Sequence, residues 1–248
     1  MMVHRPRYQS FFMGRAFEYR RASKEKRWDK MSKVFPKIIR TITMAVREGG
    51  SDVASNSKLR IAIQNAKAAN MPKDNIDNAI KRATSKEAED ISEVSYEGKG
   101  PHGVLLFVDC ATNNTNRTVA NLKTIFSKGG GKIVESGALE FMFQRKAQIE
   151  FMVPEGQNID DIELALIDHG LDELEVNEGR AYAYATFADY GRLSQGIESL
   201  KIEADKSSIV RIPTSPVEFS EAELEDIEKL IDRIEDDEDV QAVFTNIA

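Results

Sequence analysis

The sequence predicts an α+β protein of three domains: an N-terminal helical domain plus two small ferredoxin-like α+β domains, the last inserted into the middle one. Three observations carry this. The hydrophobic period changes from helical to strand-like near residue 90. Residues 147–212 read strand, helix, strand, strand, helix, strand, the order of a ferredoxin-like sandwich, within about 65 residues. The chain then ends in a lone helix and strand. Such a pair cannot bury a core, so the economical solution returns it to the sheet begun after residue 90. A linear string of three domains is the alternative. The resulting boundaries are 1–12 for a tail, 13–90 for a basic helical domain with its arm, 91–145 with 213–248 for a discontinuous middle domain, and 146–212 for the inserted one.

Taken in order, residues 1–12 have no apolar core or small-residue cleavage site, so they do not read as a secretory signal. They read as a loose tail, or as an over-extended reading frame with Met13 as the start. Met31, Val34, Phe35, Ile38, Ile42, Ala45 and Val46 recur at helical spacing and end at Gly49-Gly50. Pro36 predicts that this helix starts near it or bends there. A second helix places Leu59, Ala62, Ile63 and Ala66 behind Asn56 or Ser57 as cap. Pro72 opens a third, with Asp74 in its first turn and Ile76, Ala79, Ile80 and Ala83 on its buried face. After the polar linker 84–90, strands are expected at 92–97, 104–110 and 138–143, with a helix at 118–126 between the last two. In the inserted domain, strands at 147–153, 172–176, 181–187 and 207–212 alternate with helices at 159–169 and 191–200. A strand-like 217–219, a helix at 221–235 and a strand at 240–246 complete the reading.

The chain has 248 residues, 34 Lys+Arg and 41 Asp+Glu, for a formal charge of −7. That mean conceals a division. Residues 1–86 carry 20 basic and 7 acidic side chains, net +13, and the rest carry 14 and 34, net −20. Such a split is a hint of an arm or domain that meets a polyanion, set against the bland reading that charge clusters on a solvated face. Between Arg15 and Arg47 eleven basic residues face only Glu18, Glu25 and Asp29, with Phe17, Tyr19 and Trp28 interleaved. Cations release phosphate counterions and aromatic rings stack on bases or pack inward. The predicted nucleic-acid contacts are Arg15, Arg20, Arg21, Lys24, Lys26, Arg27, Lys30, Lys33, Lys37 and Lys73.

Catalytic and cofactor signals are weak. Gly98-Lys99-Gly100-Pro101-His102-Gly103 matches a dinucleotide fingerprint literally, but a strand rather than a helix follows, so a hairpin turn is expected. Gly129-Gly130-Gly131-Lys132 follows a helix and reads as its terminator. Cys110 ends an apolar run and reads as an inert buried thiol; one cysteine allows no internal disulfide, and a reducing cytoplasm fits. Asp236-Asp237-Glu238-Asp239 lacks the glycine and ligand spacing of a calcium loop and reads as a solvated helix end. In the turn 112–118, Thr115 or Asn116 is expected to cap a helix, and Asn116 and Arg117 are candidate anion contacts. No catalytic, metal or cofactor site is expected, and no apolar run is long enough for a membrane helix.

Several segments resemble the YebC/PmpR family of probable transcriptional regulatory proteins, which includes mitochondrial activators of translation. They are Ala45 to Gly50, Asn70 to Ile76, Tyr96 to Val104, Asn116 to Ala120 and Phe141-Met142-Phe143. The resemblance runs from about Met13 to the C-terminus, although Gly14 to Arg21 departs from the family's usual Ser-Lys-Trp segment. It implies a three-domain shape with a discontinuous middle domain, and a non-enzymatic, cytoplasmic, nucleic-acid-binding protein; some relatives bind promoter DNA and others act on ribosomes.

The leading expectation is a DNA-binding transcriptional regulator gripping phosphates through the basic domain. The alternative is a ribosome-associated translation factor on rRNA or tRNA, since phosphate contacts position a protein without reading sequence. A third is a protein interaction scaffold. The acidic domains are expected to face proteins of the transcription or translation machinery.

Overall fold

The computed structural model describes residues 31–85 and 90–248. The helical domain consists there of α1 (Met31–Gly49), α2 (Ser57–Ala68) and α3 (Lys73–Ala83). Their apolar stripes meet in one core of Ile42, Ala45, Val46, Leu59, Ala62, Ala66, Ile76 and Ala79. α1 runs through Pro36, so the expected start or bend there gives way to a helix continuous across it. Asn56 joins two helices. Its Oδ1 accepts from Leu59 N at 3.0 Å as the N-cap of α2, while its Nδ2 donates to Ala45 O and Gly50 O, both at 2.7 Å, in and just past the last turn of α1. Gly49 is needed for this, because a Cβ there would stand 2.7 Å from Asn56 Nδ2.

The first sheet takes β1 (Ser92–Lys99), β2 (Leu105–Thr112), β3 (Lys132–Ile133) and the C-terminal strand β8 (Val240–Thr245), in the order β3-β1-β2-β8. Helices α4 (Thr115–Lys128) and α7 (Glu221–Glu235) pack on it through Leu122, Phe126, Ile227, Leu230 and Ile234 against Leu106, Val108, Cys110 and Val240. The second sheet has β4 (Phe143–Met152), β5 (Leu171–Asn177), β6 (Arg180–Thr186) and β7 (Ala204–Pro213), order β5-β6-β4-β7, all antiparallel. Helices α5 (Ile159–Ile167) and α6 (Tyr190–Ser199) cover it through Ile162, Leu166, Leu193 and Ile197. β4 and β7 pair from Phe143↔Pro213 onward, so the chain enters and leaves this unit as one two-stranded ribbon.

Two strand expectations are corrected. Residues 138–142 form a turn and a short 3-10 helix rather than a strand, and β4 starts at Phe143. The cause is Glu97, buried on β1, whose carboxylate accepts from Gly137 N at 2.6 Å and Leu139 N at 2.5 Å and so takes backbone donors that a ladder would need. The third strand of this sheet is the two-residue β3 instead. Val217 makes only an isolated bridge to Ile247.

The glycines of the 98–103 segment serve packing. A Cβ on Gly98 would lie 2.3 Å from Phe126 Cε1, and one on Gly100 2.7 Å from Val104 Cγ1. The segment turns through a 3-10 element at Pro101–Gly103 and returns as β2. Gly129 to Gly131 terminate α4 as expected: Gly131 N donates to Phe126 O at 2.8 Å and Gly130 N to Ser127 O at 3.4 Å, with Gly130 at φ 75°.

The helical domain is fastened at two places. Against the first sheet, the Asp239 carboxylate, 3% exposed, accepts from Arg40 Nη1 at 2.8 Å, Arg117 Nη2 at 2.9 Å, Thr118 Oγ1 at 2.7 Å and Thr112 Oγ1 at 3.1 Å. This overturns the reading of residues 236–239 as a merely solvated helix end. Burial disfavours the charged form, but the hydrogen bonds from Arg117, Thr118 and Thr112 outweigh it and hold the carboxyl below the usual range. Against the second sheet, Asn65 clasps the edge strand β7: its Nδ2 donates to Ser207 O at 2.7 Å and its Oδ1 accepts from Ser207 N at 3.1 Å. Gln64 Nε2 donates to Ala204 O beside it. An otherwise open strand edge is thereby covered. The two sheets are joined by Arg211, which donates to Asp109 Oδ1 at 3.1 Å and Ser95 Oγ at 2.9 Å, its guanidinium 4.3 Å from the Phe107 ring centroid.

Two outcomes are expected. Gly98→Ala forces Phe126 out of its seat and lowers unfolding stability by about 2 kcal/mol in urea titrations. Asp239→Asn leaves two arginines facing a neutral group and costs about 3 kcal/mol at neutral pH. Because the folded pKa of Asp239 is depressed, its contribution is present above the unfolded value of about 4 and is lost as pH falls through the folded one. The stability difference between wild type and Asp239→Asn therefore shrinks on acidification, measured as urea midpoints at neutral and acidic pH.

Candidate nucleic-acid interface

Of the predicted contacts, Arg15, Arg20, Arg21, Lys24, Lys26, Arg27 and Lys30 lie outside the described residues, as do Phe17, Tyr19 and Trp28, and Lys33 is described by its backbone alone. Residues 31–85 carry 10 basic and 4 acidic side chains, so they hold nearly half of the +13 excess. The fold divides these cations into two sets.

One set is turned inward. Lys37 Nζ, half-buried, donates to Glu235 O at 2.8 Å, at the carboxyl end of α7 where the helix dipole favours a cation. Arg40, one helical turn on, donates to Asp239, Glu238 O and Ala111 O. Lys37 was predicted as a phosphate contact and is occupied at the domain joint. Arg40 was not singled out, and the signal that it had a structural role was its place one turn after Lys37 on the same helix face.

The other set is turned outward. Arg60, Lys67, Lys73, Lys81 and Arg82 are exposed, and none pairs with a carboxylate among the described residues. Arg60, Gln64 and Lys67 fall at i, i+4 and i+7 on α2, so the two cations flank the glutamine that touches β7. Lys73 stands at the first turn of α3, where the N-cap is Pro72 and no side chain caps the helix. Free N–H groups and a positive dipole end suit an anion there. By contrast Lys58 is bound to Glu48 at 2.5 Å and Arg47 lies 3.7 Å from Asp90.

Asn116 and Arg117 sit in the first turn of α4. The cap is Asn114, not Thr115 or Asn116: its Oδ1 accepts from Arg117 N at 3.0 Å. The helix begins a residue earlier than expected because Asn114 N is itself held by Thr112 Oγ1 at 3.0 Å. The Arg117 guanidinium already holds an anion, the Asp239 carboxylate, and that bond raises its pKa further. Asn116 is exposed. A polar groove beside them, lined by Arg40, Asn113, Asn121 and residues 236–239, is closed by pairing within the protein, Asn121 Nδ2 donating to Asp237 at 3.1 Å.

Cys110 is buried, and burial pushes its thiol up to about 12, away from the reactive thiolate. His102, at φ 56°, faces Asp226 at 3.2 Å and Glu223 at 3.8 Å on α7. His169 packs where a Cβ on Gly196 would stand, bringing α5 and α6 close. Among the described residues no three His, Cys, Asp or Glu side chains gather as a metal site, and no helix is long and apolar enough to cross a membrane.

Comparison with known proteins agrees with this architecture. The TACO1/YebC protein N-terminal domain matches residues 15–86, and the TACO1/YebC second and third domain matches residues 91–247. A probable transcriptional regulatory protein of Wolinella succinogenes is 60% identical over 239 residues, covering 95% of this chain and all of the relative. One of Helicobacter hepaticus is 58% identical over 240 residues, with the same coverage. The crystal structure of a conserved hypothetical protein from Aquifex aeolicus superposes with a TM-score of 0.79 at 33% identity, over 88% of this chain and 90% of that one. With both domain models matched in order along the chain and curated relatives aligned along their whole length, the protein belongs to the TACO1/YebC family.

Proposed function

We propose that the protein is a non-enzymatic, DNA-binding transcriptional regulator of the cytoplasm that grips phosphates through its basic helical domain. The relatives' names support a regulatory role in transcription. The observation that carries the finer reading is the outward set of cations. Arg60, Lys67, Lys73, Lys81 and Arg82 have no carboxylate partner among the described residues, although the remainder of the chain has a net charge of −20. A domain that needed these charges only for folding would pair them as it pairs Lys37 and Arg40. Unpaired cations on one small domain attract a polyanion, and the acidic domains repel it from the remaining sides. The arm residues Arg15, Arg20, Arg21, Lys24, Lys26, Arg27 and Lys30 add to the same charge.

The decisive measurement is affinity for duplex DNA as a function of salt. Lys67→Glu, Lys73→Glu and Lys81→Glu together are expected to weaken binding at least about a hundredfold and to flatten the log affinity against log salt plot by about 0.9 for each phosphate no longer neutralised. Unchanged affinity and slope would sink the reading. Sedimentation of lysate with and without RNase separates the targets: migration with ribosomal fractions that RNase abolishes would move the same surface to ribosomal RNA.

A further inference from the structure

The acidic two thirds of the chain contain a basic spot. Lys99 on β1 and Lys132 on β3 are register partners, directly opposite each other at the edge of the first sheet. Both are exposed, and neither pairs with a carboxylate among the described residues. Like charges directly opposite on neighbouring strands destabilise a sheet. That they stand together in a segment of net charge −20 needs a reason beyond solubility.

A second observation lies on the same face. Glu97, two residues before Lys99, points to the same side of β1, and its carboxylate pins the loop that leaves β3 through Gly137 N and Leu139 N. Thr214 N donates to Met142 O at 2.9 Å and holds the other end. Leu139 and Phe143 are buried beneath, with Phe107. Between these fixed points Phe141 stands 74% exposed, the most exposed large apolar side chain among the described residues. Glu135 and Glu140 on the loop make no ion pair with the lysines. An exposed ring on a loop pinned to the face of β1 that carries Lys99 suits the recognition of unpaired bases with their phosphates.

We propose that Lys99 and Lys132, with the ring of Phe141, form a second nucleic-acid contact that takes a single-stranded segment: phosphates on the lysines and a base stacked on the phenylalanine. It rests on the reading of the chain as a nucleic-acid-binding protein and adds a contact at the far edge of the sheet from the joint with the helical domain, about 14 Å across four strands. DNA and RNA share this chemistry, and parallel arms with each separate them.

The test is fluorescence anisotropy of a labelled single strand of about 20 nucleotides, as DNA and as RNA, titrated with salt. The full chain is compared with Lys99→Glu/Lys132→Glu, Phe141→Ala and the Lys67→Glu/Lys73→Glu/Lys81→Glu variant; Lys99→Gln/Lys132→Gln replaces the reversal if it fails to fold. The lysine reversal is expected to weaken single-strand binding about tenfold or more and to reduce the salt slope by about 1.4, for two phosphates. Phe141→Ala is expected to weaken it about fivefold or more with the slope unchanged, and to leave duplex affinity as it was. Wild-type affinity and slope in both sets of variants overturn the proposal, as does loss of a protein partner with oligonucleotide binding intact. In either case a defect in the helical-domain variant leaves the phosphate-gripping reading standing, and a silent helical-domain variant beside active Lys99, Lys132 and Phe141 variants removes that reading and keeps this contact.

Discussion

The position of the helical domain depends on Asp239, because a carboxylate taken almost wholly out of water must be paid for by donors, and its donors come from separate parts of the chain. Arg40 supplies one from α1, Arg117 and Thr118 from α4, and Thr112 from the end of β2. Each alone would leave the buried charge under-satisfied. Together they make the angle between α1 and the first sheet a condition of burying the charge. Arg40 gives Asp239 its only donor from the helical domain among the described residues, while Thr112 and Thr118 also bond each other at 2.8 Å. The joint is thus a network, in which satisfied members orient one another.

The same pairing logic sorts the charges of the protein. Cations that meet a carboxylate or a helix carboxyl end are neutralised locally and report on architecture, as at Lys37, Arg40, Arg117 and Arg211. Cations that meet no carboxylate among the described residues remain as surface potential, as at Lys67 and Lys73 on the helical domain and at Lys99 and Lys132 on the sheet edge. Composition counts both kinds alike. Only the second kind is available to a partner, which is why a chain with a net charge of −7 can still present positive surface where it is needed.

Much of the fold was legible where the information is local. The stripes through Ile42, Leu59 and Ile76, the glycine stop after α4 and the βαββαβ order of the second sheet follow from periods and turn residues. Two of the misreadings share one cause, a partner distant along the chain. Residues 138–142 alternate like a strand, but Glu97, 42 residues away, claims the backbone donor of Leu139. Pro36 reads as a break, yet α1 carries it. Residues 236–239 read as solvated, but Asp239 lies under two arginines.

The sequence by itself determined the class of the fold and the segregation of charge, because periodicity and charge density are properties of neighbouring residues. The tertiary structure alone decided which charged residues remain free. Arg40 and Asp239 are 199 residues apart, and Arg117 and Asp239 are 122 apart. A cation's availability depends on the distance to its nearest carboxylate in space, and Coulomb energy falls with that distance whatever the separation along the chain.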